Sequence, residues 1–147
     1  MKDKKPPILV VDDEPEMCWI LENISRKAGF TCMKALNAKE ALALTKDHRF
    51  IMAFLDAKLP DTDGLDLARK LRKTYANLFI VIISGYFYKD ELVIDEGMKE
   101  GIINAFIAKP FDHEEIVRII QKAHVRKAPV KKQGKSPPRP QRAVNTT

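Results

Sequence analysis

The feature that most constrains the fold is a fivefold alternation of short apolar runs with longer amphipathic stretches. The three clearest apolar runs are Ile8–Val11, Ile51–Leu55 and Phe79–Ile83, and two weaker ones span residues 30–35 and 103–108. Continuous runs of this kind are typical of strands buried on both faces, and the stretches between them have the apolar spacing of helices. The alternation predicts an α/β fold with a doubly wound parallel sheet and helices on both faces, because a closed eight-stranded barrel needs about 250 residues.

Local signals predict several helix ends. Gly29 follows the first amphipathic stretch, where a glycine commonly terminates a helix. Asn37 with Glu40, and Asp112 with Glu115, have the spacing of capping boxes at the start of the second and fifth helices. The fourth helix is predicted over residues 89–100, and the aromatic trio at residues 86–88 comes just before it.

Polar residues follow four of the five predicted strands. They are Asp12, Asp13, Asp56, Ser84 and Lys109. Because parallel strands end at one edge of a sheet, these side chains are expected to converge there. Taken singly, each is an ordinary turn, capping or solvated residue. Together, crowded carboxylates suit Mg²⁺, and a metal beside a lysine and a hydroxyl is suited to phosphoryl transfer.

The net charge of +6 belongs to the end of the chain. Residues 126–147 contain seven basic residues and no acidic one, so residues 1–125 carry a net charge of −1. We therefore predict an N-terminal extension at 1–6, a globular domain at 7–125, and a basic, proline-rich, disordered tail or linker at 126–147. The tail's cations suit anionic partners such as nucleic acid or membranes, but a solvated linker is the favoured interpretation.

Two further observations predict a cytoplasmic location. No apolar run approaches the length of a spanning helix, and no apolar segment follows the lysine-rich start as in a signal peptide. The two cysteines, Cys18 and Cys32, lack metal-binding spacing and are expected to be reduced thiols.

These motifs resemble the receiver domain of the two-component response regulators over residues 7–124. The resemblance rests on the acidic pair in Val10-Val11-Asp12-Asp13-Glu14-Pro15, on Asp56 with Pro60 and Gly64, on Ser84-Gly85, and on Lys109-Pro110-Phe111. It implies a flavodoxin-like five-stranded parallel sheet of order 2-1-3-4-5. It also implies a cis peptide bond between Lys109 and Pro110.

The resemblance also implies the chemistry of the site. Asp56 would accept a phosphoryl group from a sensor histidine kinase or a phosphotransfer protein. Asp12, Asp13, Asp56 and the backbone carbonyl of Lys58 would bind Mg²⁺. Ser84 and Lys109 would hold the phosphoryl oxygens, so that the domain catalyses its own phosphorylation and dephosphorylation without being an enzyme acting on other substrates.

The same resemblance predicts how the signal leaves the site. Ser84 and the aromatic Phe106 would be the switch residues, and the surface of helix 4, strand 5 and helix 5 would bind a downstream protein. No DNA-binding domain is expected in this chain, and a homodimer is compatible with the pattern. The alternative is an atypical receiver that acts as a phosphorylation-independent docking or dimerisation module. The segment from Ser84 to Lys109 is a few residues longer than the family pattern leads us to expect.

Overall fold

The computed structural model describes residues 5–85 and 94–127. The strands are β1 (Ile8–Val11), β2 (Cys32–Ala35), β3 (Met52–Asp56), β4 (Phe79–Ser84) and β5 (Ala105–Ala108). The helices are α1 (Pro15–Lys27), α2 (Ala38–Asp47), α3 (Gly64–Thr74), α4 (94–99 within the described residues) and α5 (His113–Lys127). Three predicted features lie outside the described residues: the aromatic trio at 86–88, the start of the fourth helix at residue 89, and residues 128–147 of the tail predicted at 126–147.

All five strands are parallel and lie in the order β2-β1-β3-β4-β5. This confirms the predicted doubly wound, flavodoxin-like sheet. The central strand β3 ends at Asp56, whose Cα pairs with that of Ile83 in β4. The edge strand β5 pairs with β4 so that Phe106 is opposite Ile82 and Ala108 is opposite Ser84. Every strand therefore delivers its carboxyl end to the same edge of the sheet.

Two apolar cores lie on the two faces of the sheet, because alternate residues of each strand point to opposite faces. One core contains Ile8 and Val10 together with residues of α1 and α5. The other contains Leu9 and Val11 together with residues of α2, α3 and α4. A sheet covered on both faces explains why the strands are continuous apolar runs rather than alternating ones.

Two of the predicted helix ends are observed, at Gly29 and at Asn37, and one strand boundary is shifted. Gly29 has a φ of 95° after α1, and the N–H of Phe30 donates to the carbonyl of Ser25 at 3.0 Å, which closes a Schellman motif. Because Phe30 takes part in this motif, β2 begins at Cys32 rather than at residue 30. At α2, the side chain of Asn37 accepts the Glu40 N–H at 2.8 Å, as predicted.

Two further observations concern the helices. The helix α5 continues to Lys127, so regular structure extends two residues past Val125. Among the described residues, no helix has both the length and the apolar character needed to cross a membrane.

Candidate functional site

The polar residues predicted to converge do lie at the carboxyl edge of the sheet. Asp12 and Asp13 follow β1, Asp56 and Ser84 are the last residues of β3 and β4, and Lys109 follows β5. Since β1, β3, β4 and β5 are consecutive neighbours in the sheet, the fold brings together residues that are up to 97 positions apart in sequence.

The three carboxylates form one cluster. Ligand oxygens of Asp12, Asp13 and Asp56 all lie within 4.8 Å of one another. Asp12 is almost fully buried, with 2% of its surface exposed, and its Oδ1 accepts the backbone N–H of Glu14 at 2.9 Å. Asp13 is exposed and Asp56 is half-buried. One side of the cluster is therefore fixed by the protein while the other faces solvent.

Lys109 supplies a positive charge at this cluster. Its Nζ lies 3.3 Å from Asp12 Oδ2 and 3.5 Å from Asp56 Oδ1. Its backbone N–H donates to the carbonyl of Ser84 at 2.9 Å. The peptide bond between Lys109 and Pro110 is cis, as the resemblance implied.

Burial and neighbouring charges shift the pKa values of Asp56 and Lys109. Burial, together with the nearby Asp12 carboxylate, raises the pKa of Asp56 to about 6, and Lys109 opposes this rise. Burial lowers the pKa of Lys109, but the carboxylates of Asp12 and Asp56 outweigh it and raise that pKa above its ordinary value. Lys109 therefore stays protonated at neutral pH, and one ammonium group faces three carboxylates.

This donor set fits a hard divalent cation. Three carboxylates with one lysine leave excess negative charge, which a cation among the oxygens would offset. Oxygen ligands with an exposed side open to water suit Mg²⁺, which usually retains several water ligands. The predicted fourth protein ligand, the carbonyl of Lys58, belongs to the loop that directly follows Asp56. Lys58 there pairs with Asp63 in an isolated antiparallel bridge.

That β3–α3 loop, residues 57–63, is held at both ends by contacts that sequence reasoning missed. At its base, the Gly64 N–H donates to the Ala57 carbonyl at 2.7 Å. At its tip, the Asp61 carboxylate accepts the backbone N–H groups of Ala38 and Lys39, each at 3.0 Å. The hydrogen bond from Ala38 is the main cause of a lowered pKa at Asp61. The partners are 23 and 22 residues away in sequence, so no local pattern could have indicated this contact.

The predicted switch residues lie on one face of the sheet. Ser84 is fully buried, whereas Phe106 is half-buried and packs against the core on the α2, α3 and α4 side. Ser84 pairs with Ala108, which is two residues past Phe106 in β5. A spacing of two along a strand places Phe106 and Ala108 on the same face, so Ser84 and Phe106 share a face.

The side chains of Arg72 and Asn104, whose roles the sequence analysis did not predict, join residues 102–104 before β5 to α3 and β4. The guanidinium of Arg72 donates to the Leu78 carbonyl at 2.6 Å, to the Ile102 carbonyl at 3.0 Å and to Asn104 Oδ1 at 2.9 Å. The same Asn104 oxygen accepts the Ile80 N–H at 2.8 Å. Together with the Asn104 N–H, which donates to the Ile80 carbonyl at 2.7 Å, this bond holds the residue before β5 against β4.

A five-stranded parallel sheet in this order, with an acidic cluster and a lysine at its carboxyl edge, defines a receiver-type domain. The family model described as the response regulator receiver domain matches residues 8–121. The chain belongs to this family of two-component signalling proteins.

Individual relatives agree with this assignment. The chain is 30% identical over 115 residues to the sporulation initiation phosphotransferase F of Bacillus subtilis, covering 78% of this chain and 90% of that protein. It is 28% identical to the DNA-binding transcriptional regulator NtrC of Salmonella typhimurium, but covers only 24% of that protein and 79% of its own length. A CheY-like receiver domain from Methanospirillum hungatei superposes with a TM-score of 0.75 at 26% identity, covering 83% of this chain and 96% of that one.

Proposed function

We propose that the chain is a phosphorylation-operated switch in which Asp56 accepts a phosphoryl group from a sensor histidine kinase or a phosphotransfer protein. The observation that carries the proposal is the position of Asp56. Its carboxylate is a member of the acidic cluster and its Oδ1 lies 3.5 Å from Lys109 Nζ. A nucleophilic oxygen beside an ammonium group favours phosphoryl transfer, because the positive charge stabilises the phosphoryl oxygens in the transition state.

The chemistry follows from these side chains. A carboxylate oxygen of Asp56 attacks the phosphorus of the donor, and the bond between phosphorus and the donor's imidazole nitrogen breaks. The imidazole leaves with that electron pair and takes up a proton. Lys109 and the Ser84 hydroxyl then stabilise charge on the phosphoryl oxygens, since both can donate hydrogen bonds to them.

The metal in this proposal is Mg²⁺, held by Asp12, Asp13, Asp56 and the backbone carbonyl of Lys58. When bound, it supplies positive charge that offsets the three carboxylates and the incoming phosphoryl oxygens. It should also stabilise the fold. At ten times its dissociation constant the expected gain in the free energy of unfolding is about 1.4 kcal/mol, and Asp13→Ala should abolish most of that gain without removing a buried side chain.

The output of the proposed switch is a change in the surface formed by α4, β5 and α5. A shared face for Ser84 and Phe106 supports coupled movement, in which Ser84 approaches the phosphoryl group and Phe106 repacks into the space released. An open groove between β5 and α5, with Phe79, Phe106 and Ile119 among its lining residues, supports this surface as the one that binds a downstream protein. Since the proposed phosphodonors act in the cytoplasm, we place the chain there.

The test is the mass of the intact protein after incubation with acetyl phosphate and Mg²⁺. A single added phosphoryl group is expected, and both EDTA and Asp56→Asn should eliminate it. The matched control is Asp66→Asn, an exposed aspartate in the first turn of α3 that lies outside the cluster, and it should phosphorylate like the parent.

An unmodified parent protein would refute the proposal. It would also favour the phosphorylation-independent docking or dimerisation module, which requires the same fold but no chemistry at Asp56. An adduct of equal yield in Asp56→Asn would instead show that another residue is the acceptor.

A further inference from the structure

The N-terminus of α2 is capped by two parts of the chain. A helix leaves its first four backbone N–H groups without helical partners. Here the Glu40 N–H donates to the side chain of Asn37 at 2.8 Å, and the Ala41 N–H makes the first regular helical hydrogen bond, to the Asn37 carbonyl at 3.1 Å. The N–H groups of Ala38 and Lys39 donate instead to Asp61, which belongs to the β3–α3 loop. The local cap therefore satisfies one of these groups, and the remote Asp61 satisfies two.

The contact between Asp61 and α2 also helps to hold the β3–α3 loop, which is largely exposed. The side chains of Lys58, Pro60, Asp61 and Asp63 are exposed, so packing holds little of the loop apart from Leu59 and Ala57, which contact the core. Its internal bonds are the Lys58–Asp63 bridge and a 3.1 Å hydrogen bond from the Leu59 N–H to the Thr62 carbonyl. These bonds fix the shape of the loop. Its base is joined to β4, because the Ala57 N–H donates to the Ile83 carbonyl at 3.0 Å, and its tip is joined to α2 by the Asp61 contact.

We propose that Asp61 is a positioning residue for the metal site: by binding the N-terminus of α2, it holds the β3–α3 loop where the backbone of Lys58 can complete the ligand set with Asp12, Asp13 and Asp56. The inference rests on the proposed function, because it assigns the loop a role in binding Mg²⁺. Asp61 itself contacts neither the metal nor the phosphoryl group. Residues that orient metal ligands in this way commonly change metal affinity by about tenfold or more when removed.

The chain offers a matched control. Asn37→Ala removes a cap from the same helix end but does not touch the β3–α3 loop, so it separates the stability of α2 from the position of the loop. Asp61→Ala should raise the dissociation constant for Mg²⁺ by about tenfold, measured by isothermal titration calorimetry on the full chain. Asn37→Ala should leave that constant unchanged although it lowers the melting temperature. Asp61→Asn keeps one acceptor oxygen and should recover part of the affinity.

A second readout does not depend on metal. Amide hydrogen exchange of Leu59 should accelerate in Asp61→Ala and stay at the parental rate in Asn37→Ala, because only the first variant frees the loop. Parental Mg²⁺ affinity together with parental Leu59 exchange in Asp61→Ala would overturn the inference. An equal loss of affinity in both variants would also overturn it, since Asp61 would then act only by stabilising α2. A parent protein that binds no Mg²⁺ would refute the proposed function instead. The exchange measurement would still test whether the contact between Asp61 and α2 holds the loop in place.

Discussion

Replacing Gly64 with alanine tests whether the close approach of α3 to the backbone of Asp56 is needed for stability and for phosphorylation. Gly64 is the first residue of α3, and a Cβ there would overlap the carbonyl oxygen of Asp56 and lie 3.0 Å from both the carbonyl carbon of Asp56 and the Cα of Ala57. All three are backbone atoms, so no side chain can rotate away. Restoring ordinary contacts requires a shift of roughly 1 Å between the start of α3 and the end of β3.

The expected cost of Gly64→Ala is that of an overpacked core, about 1–3 kcal/mol of unfolding free energy. At roughly 4 °C per kcal/mol, this is a fall of about 4–12 °C in the melting temperature, measured by circular dichroism. Because the same shift displaces Asp56, the rate of phosphorylation by acetyl phosphate should fall at least tenfold, since a 1 Å misplacement of a reacting group can cost about a hundredfold.

The control is Gly97→Ala in α4. The nearest atom to its new Cβ, at 3.0 Å, is Cδ1 of Leu65, the end of a flexible side chain. This variant should phosphorylate at the parental rate. A Gly64→Ala protein with the parental melting temperature and the parental rate would show that the close approach of α3 to Asp56 constrains neither the fold nor the site.

Three further predictions concern residues outside the acidic cluster. Arg72→Ala should lower the free energy of unfolding by about 3 kcal/mol in urea titrations, because it removes the guanidinium donor from the part-buried Leu78 and Ile102 carbonyls. Arg72→Lys should recover only part of that free energy, and a loss below about 1 kcal/mol in Arg72→Ala would contradict this role of the guanidinium. Ser25→Ala should raise stability by about 1 kcal/mol, because the buried Ser25 hydroxyl has no hydrogen-bond partner among the described residues; lower stability would contradict this. Cys18 and Cys32 should resist iodoacetamide at pH 8 in the native protein, because burial raises their pKa values to about 11 and about 12 and the thiols stay protonated below those values; rapid alkylation seen by mass spectrometry would be the opposite result.

The sequence was sufficient for the fold because the periodicities are strong. The apolar runs at Ile8–Val11 and Phe79–Ile83 could only be buried between two layers, and strands of one direction then bring Asp12, Asp56, Ser84 and Lys109 to one edge. The resemblance added the strand order and the cis bond before Pro110, which neither periodicity nor composition could supply.

The contacts that hold the site in place could not be predicted, because they join residues distant in sequence. Asp61 looks like a turn residue until α2 is seen beside it, and Arg72 looks like a solvated helical arginine until the segment before β5 folds against it. The start of β5 was predicted at residue 103 but lies at Ala105. The N–H groups of Ile102 and Ile103 donate to the Gly97 carbonyl instead of to β4. The Ile80 N–H of β4 donates to the Asn104 side chain rather than to a backbone carbonyl of β5. Both contacts depend on the tertiary structure and leave no pattern in the local sequence.

The most direct test of the central claim is the location of the phosphoryl group. An aspartyl phosphate formed with acetyl phosphate and Mg²⁺ can be reduced by borohydride, which converts the modified aspartate to homoserine, and peptide mass spectrometry then identifies the position. The proposed function predicts homoserine at position 56 and unmodified aspartate at Asp12 and Asp13. Homoserine at either of those two positions, or no homoserine in a protein that has bound Mg²⁺, would contradict the assignment of Asp56 as the phosphoacceptor.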